Sequence, residues 1–229
     1  MQIGARGKSL EKTRGSAEGP LDYLLMPPIV HRRISRKVTG LAGAFLLVGV
    51  FDVILSRNLV RDGFFTGGML TGAARVGGLL GLSLLLGAID VFCVMWPIAD
   101  FARLMARVSE RFISGGIRII LMKSYALTYL FIVPPTALLV YNPVDWNTLP
   151  ESWSATVRLE FLLLTAIIAM VPLLQLGIVF RTLSIRSKLQ LFPRLLVLAV
   201  MFIWMRMAGE LIQRISGAGI AWLATIGAG

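Results

Sequence analysis

Cysteine and histidine are almost absent from this chain of 229 residues, which contains only Cys93 and His31. A single cysteine excludes an intrachain disulfide. Zinc, haem and iron–sulfur sites each take several ligands of these types, so the composition argues against them. We therefore expect no metal site and no cofactor.

The common catalytic motifs are absent as well. The sequence contains no G-x-x-x-x-G-K-[ST] phosphate loop, no H-E-x-x-H zinc motif and no G-x-S-x-G nucleophile motif. Ser184 and Lys188 are four residues apart, but they fall at the end of a hairpin, where nothing excludes water from a nucleophile. We expect a protein that is not an enzyme.

Charged residues are scarce, at 15% of the chain, whereas hydrophobic residues reach 56% and the mean hydropathy is +0.78. Soluble domains have about 25% charged residues, so this composition is typical of a membrane protein. The net charge of +11 would favour nucleic acid in a soluble protein. No basic–aromatic module accompanies the charge, and we expect membrane lipid rather than nucleic acid as its partner.

Five apolar runs approach the roughly 20 residues that cross a membrane. In lipid such runs satisfy their backbone as helices. The predicted spans are Val38–Ser56, Val76–Ala99, Ile119–Tyr141, Leu159–Phe180 and Leu189–Ile212. We therefore predict an all-α integral membrane bundle of five transmembrane helices over residues 38–214, after a basic tail at 1–37. The apolar C-terminal tail at 215–229 either lies at the interface or extends the last helix.

The distribution of Lys and Arg predicts the orientation. The N-terminal tail carries eight, the second loop four and the fourth loop three, which gives fifteen on one side and five on the other. Basic residues are retained on the cytoplasmic side of membrane proteins. We predict a cytoplasmic N-terminus and an outside C-terminus.

Two basic segments belong to this cytoplasmic side. The first, HRRISRK, carries Arg32, Arg33, Arg36 and Lys37. The second, DFARLMARVSERF, places Arg103, Arg107 and Arg111 on one helical stripe, with Leu104, Val108 and Phe112 on the next. The second pattern predicts a short interfacial basic helix. The first segment is an orientation signal or a docking patch, and both segments can contact anionic headgroups or a protein partner.

Polar side chains within membrane spans are costly, so each is a candidate functional residue. The candidates are Asp52, Asp90, Lys123, Tyr125, Thr128, Gln175, Arg206 and Glu210. Arg206 and Glu210 share a helix face, and Asp52 lies at a similar predicted depth. We expect these three residues to form a cluster that faces the bundle interior, as a structural ion pair or as a substrate site.

Asp90 is the most deeply placed of these charges. Side chains lean towards the N-terminus of their own helix, so Asp90 and Lys123 on successive antiparallel spans lean apart. We expect Asp90 to be buried against the hydroxyls of Tyr125 and Thr128, near Gln175. Its role is structural, or it handles a proton or a substrate. Depths counted along the spans separate Asp52 from Asp90, which argues against a carboxyl pair.

Pairs of small residues four apart predict close contacts between spans. Gly77 with Gly81 forms such a pair on the second span, and Gly40 with Ala44 forms one on the first. We interpret both pairs as packing surfaces.

Two segments resemble the Yip family of five-span membrane proteins, particularly its bacterial members. In KSYALTYLFIVPP, Tyr125, Ala126 and Leu127 match the Tyr-Ala-Leu segment of the family. QLGIVFRTLSIRSKLQL is similar to its last hairpin, with Gly177, Ser184 and Lys188 matching. The resemblance implies five spans, a cytosolic N-terminus and a non-enzymatic role. It does not extend to the GTPase interaction for which the family is named.

These observations favour a non-enzymatic protein that organises the membrane or recruits partners through its basic cytoplasmic face. The alternative is a small transporter or permease subunit that uses the polar residues within its spans. In either case a cytosolic protein, a membrane protein or a second copy of the chain can be the partner.

Overall fold

A computed structural model describes residues 26–55, 59, 68–141 and 153–225, and this part of the chain is helical. The helices are α1 (Pro28–Arg33), α2 (Leu41–Val50, continued by a π-helical turn over Phe51–Leu55), α3 (Met69–Val108), α4 (Ile117–Tyr141), α5 (Ala155–Ala169), α6 (Val171–Arg186) and α7 (Leu191–Thr225). No strand occurs in these residues, although Ile113 and Ser187 form one antiparallel bridge pair. The prediction of an all-α fold is confirmed.

In the part of the chain that the structure describes, four helical segments are long and apolar enough to cross a membrane. They are Thr71–Val108, Ile117–Tyr141, Ala155–Arg186 and Leu191–Leu223, with mean hydropathies of 1.4 to 2.4 in their most apolar windows. Many large apolar side chains on these helices are exposed, including Leu85, Leu163 and Met207. An apolar exterior of this extent matches the hydrocarbon of a bilayer, so the architecture is that of an integral membrane protein.

The predicted first span is shorter in the structure. Gly40 adopts a left-handed conformation (φ 89°), which turns the chain immediately before α2 begins at Leu41. From Leu41 to Leu55 the helix rises about 22 Å, less than the ~30 Å of a hydrocarbon core. Residues 56–58 lie outside the described part. The described residues therefore contain four helical segments long enough to cross a membrane and one shorter apolar helix, Leu41–Val53.

Helix α3 is much longer than the second predicted span. It runs without a break for 40 residues, about 60 Å. The predicted short interfacial basic helix is its last part, and it continues α3 directly rather than forming a helix of its own. Arg103 and Arg107 are helical, but Arg111 follows the end at Val108, where Glu110 turns the backbone (φ 50°). The predicted stripe of three arginines therefore has only two members on the helix.

The predicted fourth span is divided into α5 and α6 at Met170. Pro172 lies in the first turn of α6, where it lacks a donor and crowds the preceding turn. At the other end, Ser154 caps α5 by accepting a hydrogen bond from the Val157 amide at 3.3 Å. Pro97, by contrast, lies inside α3 without interrupting it.

Helix α7 continues to Thr225, which matches the second of the two alternatives for the C-terminal tail; residues 226–229 lie outside the described part. The added turns pack against the beginning of α3. A Cβ on Gly78 would lie 2.7 Å from Leu223, and one on Gly219 would lie 3.0 Å from Leu82. The C-terminal turns of α7 therefore extend the contact between α7 and α3 towards the beginning of α3.

The close contact between α2 and α3 uses glycines other than those predicted. A Cβ on Gly49 would overlap the carbonyl of Ser83, and one on Gly87 would overlap the carbonyl of Phe45. Gly77 and Gly81 instead face open space, so the prediction for this pair is wrong. Gly40 precedes α2 rather than forming a helical face with Ala44.

Candidate functional site

Asp90 lies at the centre of a buried hydrogen-bonded group. It is 3% exposed on α3, opposite Tyr125 and Tyr129, which are one turn apart on the same face of α4. The Tyr129 hydroxyl donates to Asp90 Oδ2 at 3.1 Å, and the Tyr125 hydroxyl lies 3.4 Å from both carboxylate oxygens. The two hydroxyls are 2.9 Å apart. We call these three residues the Asp90 cluster.

The hydroxyl partners of Asp90 were predicted only in part. Tyr125 is one of them, as expected. Thr128 is not, because its hydroxyl donates to the Tyr125 carbonyl of its own helix at 2.6 Å. Tyr129, which sequence reasoning missed, makes the shortest hydrogen bond to Asp90, at 3.1 Å. The spacing of four residues from Tyr125 was the signal that could have identified it.

Lys123 points away from Asp90, in the direction that its lean predicts. Its ammonium donates to the carbonyls of Lys37 and Thr39, both at 2.8 Å, and to the Ser35 hydroxyl at 3.0 Å. Within the described residues Asp90 makes no ion pair, and its partners are the two tyrosines.

A cavity of about 210 Å³ adjoins the Asp90 cluster. Its walls come from the π turn after α2 and from α3, α4, α6 and α7. The lining residues are Phe51, Asp52, Asp90, Val94, Tyr125, Tyr129, Ile132, Val171, Gln175, Met205, Gly209, Ile212 and Gln213. Gln175, a predicted candidate, thus lies beside Asp90.

Asp52 and Asp90 line this same cavity, although the predicted depths separated them. Those depths were counted from predicted span ends, and the ends differ in the structure. Helix α3 ends at Val108 rather than Ala99, and α2 begins at Leu41 rather than Val38. The two carboxyl groups therefore belong to one site.

Two irregular helical segments meet at the cavity. The π-helical turn contributes Phe51 and Asp52, and the break at Met170 immediately precedes Val171. Interrupted helices lie at the binding sites of many membrane transporters, because free backbone groups and altered side-chain directions are available there. This geometry can accommodate a ligand.

The predicted cluster of Asp52, Arg206 and Glu210 does not form. Arg206 and Glu210 are exposed on α7, and they make no ion pair with each other or with Asp52. The neighbouring face of α7 lines the cavity through Met205, Gly209 and Ile212. Arg206 and Glu210 each follow a cavity-lining residue by one position, and one position rotates a helical side chain by about 100°. Their side chains therefore lie on a different face of α7 from the one that lines the cavity.

The second candidate site is the end of the bundle where residues 26–40 meet the loops at 109–116 and 187–190. We call it the basic end. The Lys188 amide donates to the Phe112 carbonyl at 2.9 Å, which joins the two loops. A Cβ on Gly116 would lie 2.9 Å from the Arg36 side chain, which places residues 26–40 beside them. The described parts of the three regions predicted to share one side therefore lie at one end, whereas residues 1–25 of the tail lie outside the described part.

Arg186 anchors the N-terminal segment to the basic end. Its guanidinium donates to the carbonyls of His31, Arg32 and Ile34 at 2.7 to 3.0 Å. These are carbonyls at the end of α1, which have no partner within the helix. Lys123 binds the carbonyls of the next residues, as described above. Two cations of the bundle thus fix the path of residues 31–39.

His31 adds a buried polar contact to this anchor. Its imidazole is fully buried, with Nδ1 2.9 Å from the Thr182 hydroxyl. Thr182 lies in turn 3.0 Å from the Ser124 hydroxyl. The N-terminal segment is therefore held against both α4 and α6.

The cationic candidates of the basic end differ in exposure. Six are exposed, namely Arg32, Arg33, Arg36, Lys37, Arg107 and Arg111. Arg103 is partly buried, because it donates to the Gly115 carbonyl at 3.0 Å and lies 3.7 Å from Asp100. Asp100 also pairs with Arg118 at 2.6 Å. Arg103 therefore mainly stabilises the fold, and less of its charge is available to a partner at the surface.

The comparisons with known proteins give no relative. No protein-family model, no curated protein and no solved structure matches the chain.

Proposed function

We propose that the chain crosses the membrane five times, with its basic end in the cytoplasm and its C-terminus outside, in a bacterial inner membrane. Helix α2 and its π turn are the first span in this proposal. The close packing of Gly49 against α3 and of Gly87 against α2 supports it, because α2 then runs among the other spans. The concentration of cations at one end supports the orientation.

The proposed function is to organise the membrane or to recruit a partner through the basic end, without catalysis. The anchoring of residues 31–39 by Arg186 and Lys123 is the observation that carries it. These two cations fix the segment, and the six exposed candidates named above lie around it. Leu104, Val108 and Phe112 are also exposed at this end.

The partner that fits this surface has acidic groups next to apolar ones. A cytosolic protein, a membrane protein or an anionic lipid surface can supply both. The resemblance to the Yip family supports a non-enzymatic role in the membrane. We propose that the chain is a member of that family, because the segments around Tyr125 and Ser184 resemble those of the family.

Crosslinking in living cells tests the proposal. A photoreactive amino acid replaces Val108, and recovered adducts are compared between two triple variants. The first changes Arg33, Arg107 and Arg111 to Gln; the matched control changes Arg158, Arg206 and Arg214 to Gln, which are exposed cations away from the basic end. We expect the first variant to lose a defined adduct that the control retains. Equal adducts in both variants would contradict recruitment by the basic end.

The cavity favours a second candidate function, transport of a small substrate. Reconstituted protein would then show a proton- or substrate-coupled flux. The Asp90→Asn variant, at unchanged abundance and folding, would abolish that flux. If Asp90→Asn affects only stability, the role of the Asp90 cluster is structural.

A further inference from the structure

The cavity beside the Asp90 cluster has the carboxyl side chains of a cation site. Of the thirteen lining residues that the structure describes, two are aspartates and none is Lys, Arg or His. Carboxylates in a low-dielectric interior favour a nearby positive charge strongly. Within the described residues no ion pair supplies that charge to Asp90. A ligand that enters the cavity is therefore selected for positive charge.

Asp90 retains capacity to accept hydrogen bonds. An ionised carboxylate has about four acceptor positions. Tyr129 uses one at 3.1 Å, and the contacts from Tyr125 are long, at 3.4 Å. Oδ1 has only one of these long contacts, so a stronger donor can bind there. An ammonium group supplies up to three such donors.

Gln175 provides an independent sign of a ligand. Its side chain is 5% exposed and lines the cavity, yet it makes no hydrogen bond to the described part of the chain. Because the residue lines the cavity, a polar ligand there can accept a hydrogen bond from its amide nitrogen or donate one to its amide oxygen.

The size and the apolar wall of the cavity indicate an organic ligand rather than a bare ion. An engineered cavity of about 150 Å³ binds benzene, and this one holds about 210 Å³. Val94, Ile132 and Ile212 give it a hydrocarbon surface. Within the described residues no group of three His, Cys, Asp or Glu side chains is placed to hold a metal ion.

We propose that this cavity binds a small organic ammonium ion. Asp90 and Asp52 hold the ammonium group, the Gln175 amide contacts its polar atoms, and the apolar wall packs against its hydrocarbon part. This binding does not depend on what the basic end recruits.

Calorimetric titration of the full-length protein in lipid nanodiscs tests the proposal, with benzylammonium chloride as the probe. Benzyl alcohol is the neutral control of the same shape, and sodium chloride is the inorganic control. We expect benzylammonium to bind at least about tenfold more tightly than benzyl alcohol, a difference of roughly 1.4 kcal/mol. Sodium at the same concentration leaves the titration unchanged.

Variants test the named residues. Asp52→Asn and Asp90→Asn are each expected to weaken benzylammonium binding about tenfold or more, since each removes a charged partner. Glu210→Gln removes an exposed carboxylate of α7 outside the cavity and leaves binding unchanged. If Asp90→Asn does not fold, Asp52→Asn and Gln175→Leu carry the test.

Three results would overturn the proposal. Equal binding of benzyl alcohol would reduce the cavity to an apolar pocket. Competition by sodium at equal concentration would make the site an inorganic cation site. Absence of benzylammonium binding to the unmodified protein would remove the site altogether. None of these results changes the crosslinking at Val108, so failure here is distinct from failure of recruitment.

Discussion

Asp90 and Tyr129 are 39 residues apart in the chain and 3.1 Å apart in the fold, and their hydrogen bond joins α3 to α4 in the middle of the bundle. A carboxyl group so deep in an apolar helix is stable only with partners. The two tyrosines provide them on one side, and the cavity leaves the other side open to a ligand.

Replacing Tyr129 with Phe tests this bond. The ring keeps its edge-to-face contact with Phe51, at 5.2 Å between centroids, but the donor to Asp90 is lost. We expect the free energy of unfolding to fall by about 1–3 kcal/mol, because a buried acceptor loses its closest donor. Unfolding in mixed detergent micelles measures the change. Thr136→Val is the control, because it removes a buried hydroxyl of α4 that has no hydrogen-bond partner in the described part of the chain, and it should not lower stability. Equal stability of the two variants would mean that the bond contributes nothing.

The contact between α2 and α3 depends on Gly87. A methyl group there meets the backbone carbonyl of Phe45, which cannot move without displacing the helix. We expect Gly87→Ala to destabilise the protein by at least about 2 kcal/mol, as overpacking of a tight contact does. Thermal unfolding of the purified protein checks this value.

Gly77→Ala is the matched control for this substitution, since Gly77 is helical on α3 and faces open space. Alanine favours a helix over glycine by up to about 1 kcal/mol, so this variant should be neutral or more stable. If Gly87→Ala is tolerated as well as Gly77→Ala, α2 does not pack against α3 as described.

Arg186 should control the protection of the N-terminal segment. Arg186→Gln removes a cation that three carbonyls of residues 31–34 bind. Hydrogen bonds to charged groups contribute about 1.5–3 kcal/mol, so we expect amide exchange in residues 28–36 to become about tenfold faster or more. Hydrogen–deuterium exchange with mass spectrometry resolves this segment.

Lys188→Gln serves as the control for that experiment, because Lys188 is an exposed cation two residues away. It should leave the exchange of residues 28–36 unchanged. Similar acceleration in both variants would indicate a general effect of charge rather than the anchor.

The sequence predicted the helices better than the contacts between them. The third span was predicted within two residues of α4, and the second lies entirely within α3, because long apolar runs define helices in lipid. The predicted spans stop short of the ends of α3 and α7, although a helical basic segment after the second span and an extension of the last helix were both among the predictions. Each helix continues beyond its predicted span with residues that are buried against the rest of the protein, as Ala106 on α3 and Leu223 on α7 show.

The candidate site was harder to predict than the helices. A helix in lipid is apolar on all sides, so hydropathy does not distinguish its buried face from its exposed one. For this reason Arg206 and Glu210 were placed inside and are outside. The direction of Lys123 could be predicted from the lean of helical side chains alone. The shared cavity of Asp52 and Asp90 could not be predicted, because it depends on the rotation and the register of α2 against α3, which the sequence does not reveal.

Labelling of single cysteines from each side of the membrane tests the central claim most directly. In a Cys93→Ser background, Lys37→Cys reports the basic end and Thr225→Cys reports the end of α7. An odd number of spans puts these positions on opposite sides, whereas the four long helices alone would put them on the same side. We predict that a membrane-impermeant maleimide labels Thr225→Cys in intact spheroplasts and labels Lys37→Cys only after lysis. Labelling of both positions before lysis, or of neither, would contradict the five-span account.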